Sequence, residues 1–229
     1  MHDRVVAIIP ARIDSSRFPA KMIADSSGKP LIQYAWEVAN AAECVTQVFI
    51  ATDSPEITRT VESFGGTVVM TGEHPNGTSR IAEVVREIEC DLVVNLQGDE
   101  PELDPSVIDD TVGVICDRSM ATAACPLLDG EIDNEHVVKV VIDDSGCALD
   151  FARITDDKSA MRHIGLYVYK PAFLQTYVAM QPTQNEIARR LEQMRVLDNG
   201  YEIAVACVAT QPGGIDTEEQ YDAFVKRVG

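Results

Sequence analysis

The chain runs to 229 residues, 45% of them hydrophobic and 24% charged, with a formal net charge of −18 at pH 7. That acidic surplus excludes a general affinity for nucleic acid or an anionic membrane, since both require a basic surface. A phosphorylated ligand stays admissible where the few cations cluster or a divalent metal bridges the charges.

Val5 to Ile9 is a continuous apolar run, the pattern of a strand buried on both faces, and Pro10 is expected to end it. A polar loop follows, carrying Arg12, Asp14, Ser15, Ser16, Arg17 and Lys21. Ligands of open α/β sheets bind just past the carboxyl ends of the strands. The cations and hydroxyls gathered there point to a polyphosphate cradle. Pro30 to Glu43 has apolar residues at helical spacing. Val45 to Ala51 is a second strand, Pro55 to Phe64 a helix closed by Gly65-Gly66, and Thr67 to Met70 a third strand. A loop leads to a helix from Thr78 to about Glu89. The strand Asp91 to Leu96 then ends in Gln97-Gly98-Asp99-Glu100-Pro101, and a helix spans Pro105 to Cys116.

Strand and helix alternate throughout this half, which predicts an α/β fold built on a mostly parallel, doubly wound sheet. The pattern changes near Ala121. Ala121 to Leu128, Val137 to Asp143 and Cys147 to Arg153 read as strands, and residues 120–170 are expected to form a smaller sub-sheet that covers the site or builds an oligomer interface. Arg162 to Tyr169 is a strand, Ala172 to Met180 a helix, Asn185 to Leu197 one amphipathic helix with its charges outward, and Glu202 to Val208 a late strand. Gly213-Gly214-Ile215-Asp216 leads to a last helix capped by Asp216 or Thr217. With no repeat and no low-complexity linker, residues 1–229 read as one domain.

Six cysteines, at 44, 90, 116, 125, 147 and 207, form no CxxC and no Cys/His cluster, so neither a zinc site nor a disulfide scaffold is expected. The N-terminus lacks the signature of a leader and no apolar run reaches transmembrane length. A cytoplasmic location is the expectation.

Asp99 ends a buried strand behind Gly98, a place for either a hard-cation ligand or a turn cap. Asp216 could be its partner or simply a helix cap. His163 beside Arg162 reads as a structural group or a site residue, and Glu192 and Gln193 as a solvated helix face or a site wall. Neither a dinucleotide fingerprint nor a Walker loop occurs.

Residues 8–21 (IIPARIDSSRFPAK), ATD, TGEHPNGTSRIAEVV, NLQGDEP, RHIGLYVY, LEQMRVL and GIDTEE occur in this order over almost the whole chain. Together they resemble the 3-deoxy-D-manno-octulosonate (KDO) cytidylyltransferase family, and more distantly CMP-sialic acid synthetases. The resemblance implies a single nucleotidyltransferase domain whose smaller sheet dimerises. It also implies Mg²⁺-dependent formation of CMP-KDO and pyrophosphate from CTP and an acidic 2-keto sugar, ahead of lipopolysaccharide core assembly. Arg12, Lys21 and Asp99 would be catalytic. Arg12, Arg17 and Lys21 would hold the triphosphate with Ser15 in the phosphate loop, Ala11 would also bind the nucleotide, and Gly77, Thr78 and Arg80 would border the cytidine. Gln97 would stand between nucleotide and sugar, with Asp99 and Asp216 as metal ligands. Arg153, Arg162, His163, Glu192 and Gln193 would face the sugar acid. Departures from the family pattern are Ala152 for Ser, Ser79 for an acid, Ala20 for Gly, and a short connection bearing Asp156 and Asp157 near the expected sugar pocket. A cytidylyltransferase for another 2-keto sugar acid, or a silent nucleotide-binding homologue, are the competing expectations.

Overall fold

Apolar runs with β-branched residues supply the spine of the fold. In the computed structural model, which describes residues 2–15 and 17–229, β1 (Val5–Ala11) is buried along its whole length. Ser16, expected in the phosphate loop, lies outside the described residues. β2 (Val45–Thr52) and β4 (Leu92–Asn95) flank β1 in parallel, and β3 (Thr67–Met70) runs parallel to β2. β8 (Met161–Tyr169) pairs antiparallel with both β4 and β5 (Met120–Cys125), and β9 (Ile203–Cys207) closes the row parallel to β5. The order β3-β2-β1-β4-β8-β5-β9 is that of a mostly parallel, doubly wound sheet.

Three helices pack on each face. On one, α1 (Leu31–Ala41), α2 (Pro55–Ser63) and α4 (Pro105–Val114) bury Ala35, Ile57 and Val107 against the sheet. On the other, α3 (Gly77–Val85), α5 (Pro171–Ala179) and α7 (Met194–Asp198) bury Ile81, Leu174 and Met194. Prolines occupy the first turns of α2, α4 and α5, where the missing N–H has no intrahelical partner to lose. The last helix, α8 (Glu218–Val228), seats Tyr221 and Phe224 against Leu31 and Ile215. Thr217 caps it through a reciprocal capping box with Gln220, so Asp216 does not serve as its cap.

Three expectations are corrected. β1 continues through Pro10 to Ala11, because β4 pairs only with Val5 to Ile8 and leaves the Pro10 side of the strand without a ladder partner. Residues 120–170 do not form a separate sub-sheet. β5 and β8 stand in the main sheet, and only β6 (Lys139–Ile142) and β7 (Ala148–Ala152) hang from it as a hairpin paired to the start of β8. β5 is buried at every position, so its small residues serve a central strand. Finally, the helix expected over residues 185–197 is broken. α6 (Gln184–Arg189) ends at Arg190, which adopts φ 55° and ψ 48°, and α7 starts four residues later. Its charges are not all outward: Glu186 is buried and receives Arg195 Nε at 2.7 Å.

Candidate active site

The carboxyl ends of β1 and β4 open onto a cavity of about 400 Å³. The end of β1 and the loop after it put Ala11, Arg12, Ser15, Arg17 and Lys21 on its wall, and the first turn of α3 adds Gly77 and Arg80. Four cations thus gather in a molecule of net charge −18. Ala20 takes the left-handed conformation at φ 54°, one that glycine adopts more cheaply. That turn buries Lys21, whose Nζ donates to Asp99 Oδ2 at 2.5 Å and to the Ile215 carbonyl at 2.6 Å, and lies 3.9 Å from Asp216 Oδ1. Arg17 donates to the same Asp216 oxygen at 2.7 Å. The two carboxylates expected to bind a metal therefore converge on one cationic point, brought together by the loops after β4 and β9 from positions 117 residues apart in sequence (216 minus 99).

Among the described residues no group of three or more His, Cys, Asp or Glu side chains could hold a metal by itself. Two convergent carboxylates still fit Mg²⁺, which takes one or two from protein and completes its shell with phosphate oxygens and water. Glu100 supports this corner and was not singled out in the sequence. Burial, then the neighbouring Asp99, pushes its carboxyl up to about 8. A Cβ at Gly214 would lie 2.9 Å from Glu100 Oε1, so glycine lets the 213–216 loop approach close enough for Ile215 N–H to reach the Asp99 carbonyl at 2.8 Å.

Arg80 is buried and donates to Asp53 Oδ2 at 2.9 Å, to Thr71 Oγ1 and to the Gly72 carbonyl at 3.3 Å, fixing the loop before α3. Asn76 caps that helix by accepting from Ser79 N–H at 2.8 Å. His74, on the same loop, is paired with Glu83, whose carboxyl it holds below the usual range. Neither His74 nor Asn76 was picked out in the sequence, although both line the cavity.

A second cavity of about 270 Å³ adjoins the first, and Gly77, Gln97 and Glu192 line both. Its other walls include Thr78, Gln193, Asn95, Arg190 and three tyrosines, at 167, 169 and 177. Thr78 Oγ1 lies 3.3 Å from Glu192 Oε2, and burial raises the Glu192 carboxyl. Glu192 and Gln193 stand in the break between α6 and α7, so they face the cavity rather than solvent. The tyrosines come from β8 and α5, and no sequence pattern joins them.

Three of the residues expected at the sugar acid lie elsewhere. Arg162 is on the opposite face of β8 from His163, as the period of a strand requires. Its guanidinium meets Glu131 at 3.1 Å, Cys125 Sγ at 3.3 Å and the Gln211 carbonyl. Arg153 donates to the carbonyls of Glu135 at 3.1 Å and of Arg189 and Arg190 at 3.4 Å, pinning the α6 end instead of lining the cavity. His163 packs against Tyr167 with the rings tilted and their centroids 5.4 Å apart, and its Nε2 is 2.9 Å from Thr122 Oγ1. Burial pushes its pKa down to about 3, so the ring is neutral. Asp156 and Asp157 are exposed and line neither cavity, so they add no charge to the pocket.

Comparison with known proteins places the chain and its fold among cytidylyltransferases. The family model described as Cytidylyltransferase matches residues 6–203. A 3-deoxy-manno-octulosonate cytidylyltransferase of Geobacter metallireducens is 38% identical, covering 98% of each chain. One of Anaeromyxobacter dehalogenans is 41% identical over 95% of each. The solved structure of CMP:2-keto-3-deoxy-manno-octonic acid synthetase complexed with CTP superposes with a TM-score of 0.93 at 33% identity, covering 98% of each chain.

Proposed function

The chain belongs to the 3-deoxy-manno-octulosonate cytidylyltransferase family, and from that premise we propose that it transfers CMP from CTP to the anomeric hydroxyl of 3-deoxy-manno-octulosonate, releasing pyrophosphate. The observation that carries the reading is the pair of contiguous cavities. One gathers Arg12, Arg17, Lys21 and Arg80 beside the convergent carboxylates Asp99 and Asp216, the other is lined by tyrosines and amides, and Gln97, Gly77 and Glu192 form their shared wall. A triphosphate in the first and a sugar in the second would meet at that wall.

The reaction needs positioning and charge stabilisation more than covalent help from the protein. The sugar hydroxyl oxygen forms a bond to the α-phosphorus and gives up its proton to water, while the bond from that phosphorus to the β-phosphate bridging oxygen breaks and its electron pair leaves with pyrophosphate. Arg12, Arg17 and Lys21 would hold the leaving pyrophosphate, and the first turn of α3 would add its oriented N–H groups. Gln97, whose amide donates to Asn95 Oδ1 at 3.0 Å, would orient the acceptor. Mg²⁺ held by Asp99 and Asp216 would neutralise phosphate charge. We place the reaction in the cytoplasm, ahead of lipopolysaccharide assembly, with the chain as a homodimer. No described helix is long and apolar enough to cross a membrane.

The test is pyrophosphate release from CTP and Mg²⁺ with KDO, 8-amino-8-deoxy-KDO or N-acetylneuraminate as acceptor, with Asp99→Ala as control. Release with KDO, lost by at least about a hundredfold in the variant, is expected. Release only with another acid would move the substrate while keeping the chemistry. CTP binding without release would favour a silent homologue.

A further inference from the structure

The second cavity has one cation on its wall, Arg190. Its neighbour Arg189 is engaged, donating to Asp150 Oδ1 at 2.5 Å and to the Phe151 carbonyl at 2.9 Å. Among the described residues, Arg190 itself makes no side-chain hydrogen bond or ion pair, and it is exposed. The two arginines that sequence reasoning offered for the acceptor, at 153 and 162, are committed to carbonyls, Glu131 and a thiol.

The backbone at Arg190 is unusual as well. An arginine in the left-handed region is strained, a conformation that glycine or asparagine adopts more cheaply. It is held there because the Arg190 N–H reaches the Glu186 carbonyl and the Arg190 carbonyl accepts from Arg153 at 3.4 Å. Strain of this kind persists where the surroundings fix it and collects at ligand sites. Here it puts Arg190 on the cavity wall at the point where the chain turns from α6 towards Glu192.

The geometry points to Arg190 as the residue that recognises the carboxylate of the acceptor sugar acid, a specificity contact for the reaction; this role rests on the acceptor reading given above. A guanidinium offers paired donors matched to a carboxylate, which a lysine ammonium does not reproduce. Arg153 is then a positioning residue, holding the carbonyl of Arg190.

The test uses the full-length enzyme with CTP, Mg²⁺ and either KDO or its C1 carboxamide. Arg190→Gly suits the left-handed backbone and keeps the fold, so it removes the guanidinium alone. The expected result is a KM for KDO raised about 30-fold, with the KM for CTP and the melting temperature unchanged. Arg190→Lys is expected to recover part of that loss. The wild type should also discriminate against the carboxamide by about 30-fold, and Arg190→Gly should lose that discrimination. A merely structural role would not move this ratio. An unchanged KM for KDO, or a variant that still discriminates fully, would overturn the assignment. A wild type that releases no pyrophosphate with KDO would instead overturn the acceptor reading itself, and that is visible before any variant is made.

Discussion

At the first turn of α3, the chain passes Pro10 so closely that a Cβ on Gly77 would lie 2.9 Å from the proline Cγ. A proline ring on a buried strand cannot swing aside, so the helix start itself must move. Gly77→Ala is therefore expected to cost about 1–3 kcal/mol of stability by overpacking. The displaced turn would also carry Arg80 away from the first cavity, lowering kcat/KM for CTP by roughly tenfold. Urea unfolding and steady-state kinetics of the variant check the two effects separately. A variant with wild-type values in both would show that the helix has slack the contact distance denies.

Among the elements, the break between α6 and α7 does the most for the acceptor pocket. The break is held by the buried carboxylate Glu186, which caps α6 through Thr183 and accepts from Arg195 on α7. Removing one partner of such a pair leaves a buried charge uncompensated. Arg195→Met should destabilise the protein by about 3 kcal/mol, and adding Glu186→Gln should restore part of that, as read from urea midpoints. The break was not legible in the sequence because no Gly or Pro marks it, and the apolar spacing of Ile187, Leu191 and Met194 continues the helical period across Arg190. The strands of the first half were legible, since buried apolar runs end at Thr52, Asn95 and the Pro10 region, where the site loops begin. The direction of Arg162 was legible too, and was misread: adjacent residues of a strand cannot both face one cavity. The tyrosine wall depends on the placement of β8 against α5, a long-range fact that no local pattern encodes.

For the molecule as a whole, β8 is the joint. It is the one strand of the main row that runs antiparallel, and it links the β1–β4 half to the β5–β9 half. His163 sits on this strand, edge-on to Phe151 of the hairpin and hydrogen-bonded to Thr122 of β5, so protonating it would oppose the packing of three strands at once. Burial lowers its pKa from 6.5 to about 3, whereas the unfolded chain takes up the proton near 6.5. A depressed folded-state value means that the unfolded state binds the proton first as pH falls, so stability is full above about 6.5 and declines below it. Between pH 7.5 and 5 this one group removes up to about 2 kcal/mol, an upper figure because the residue is only half-buried. In His163→Gln the glutamine side chain does not titrate and can still meet Thr122. Wild type should therefore lose up to about 2 kcal/mol more than the variant over that interval, measured as the difference in urea unfolding free energy at the two pH values. Parallel losses in both proteins would mean that the ring takes up a proton in the folded state as readily as in the unfolded one, and that the β8 joint does not sense pH through His163.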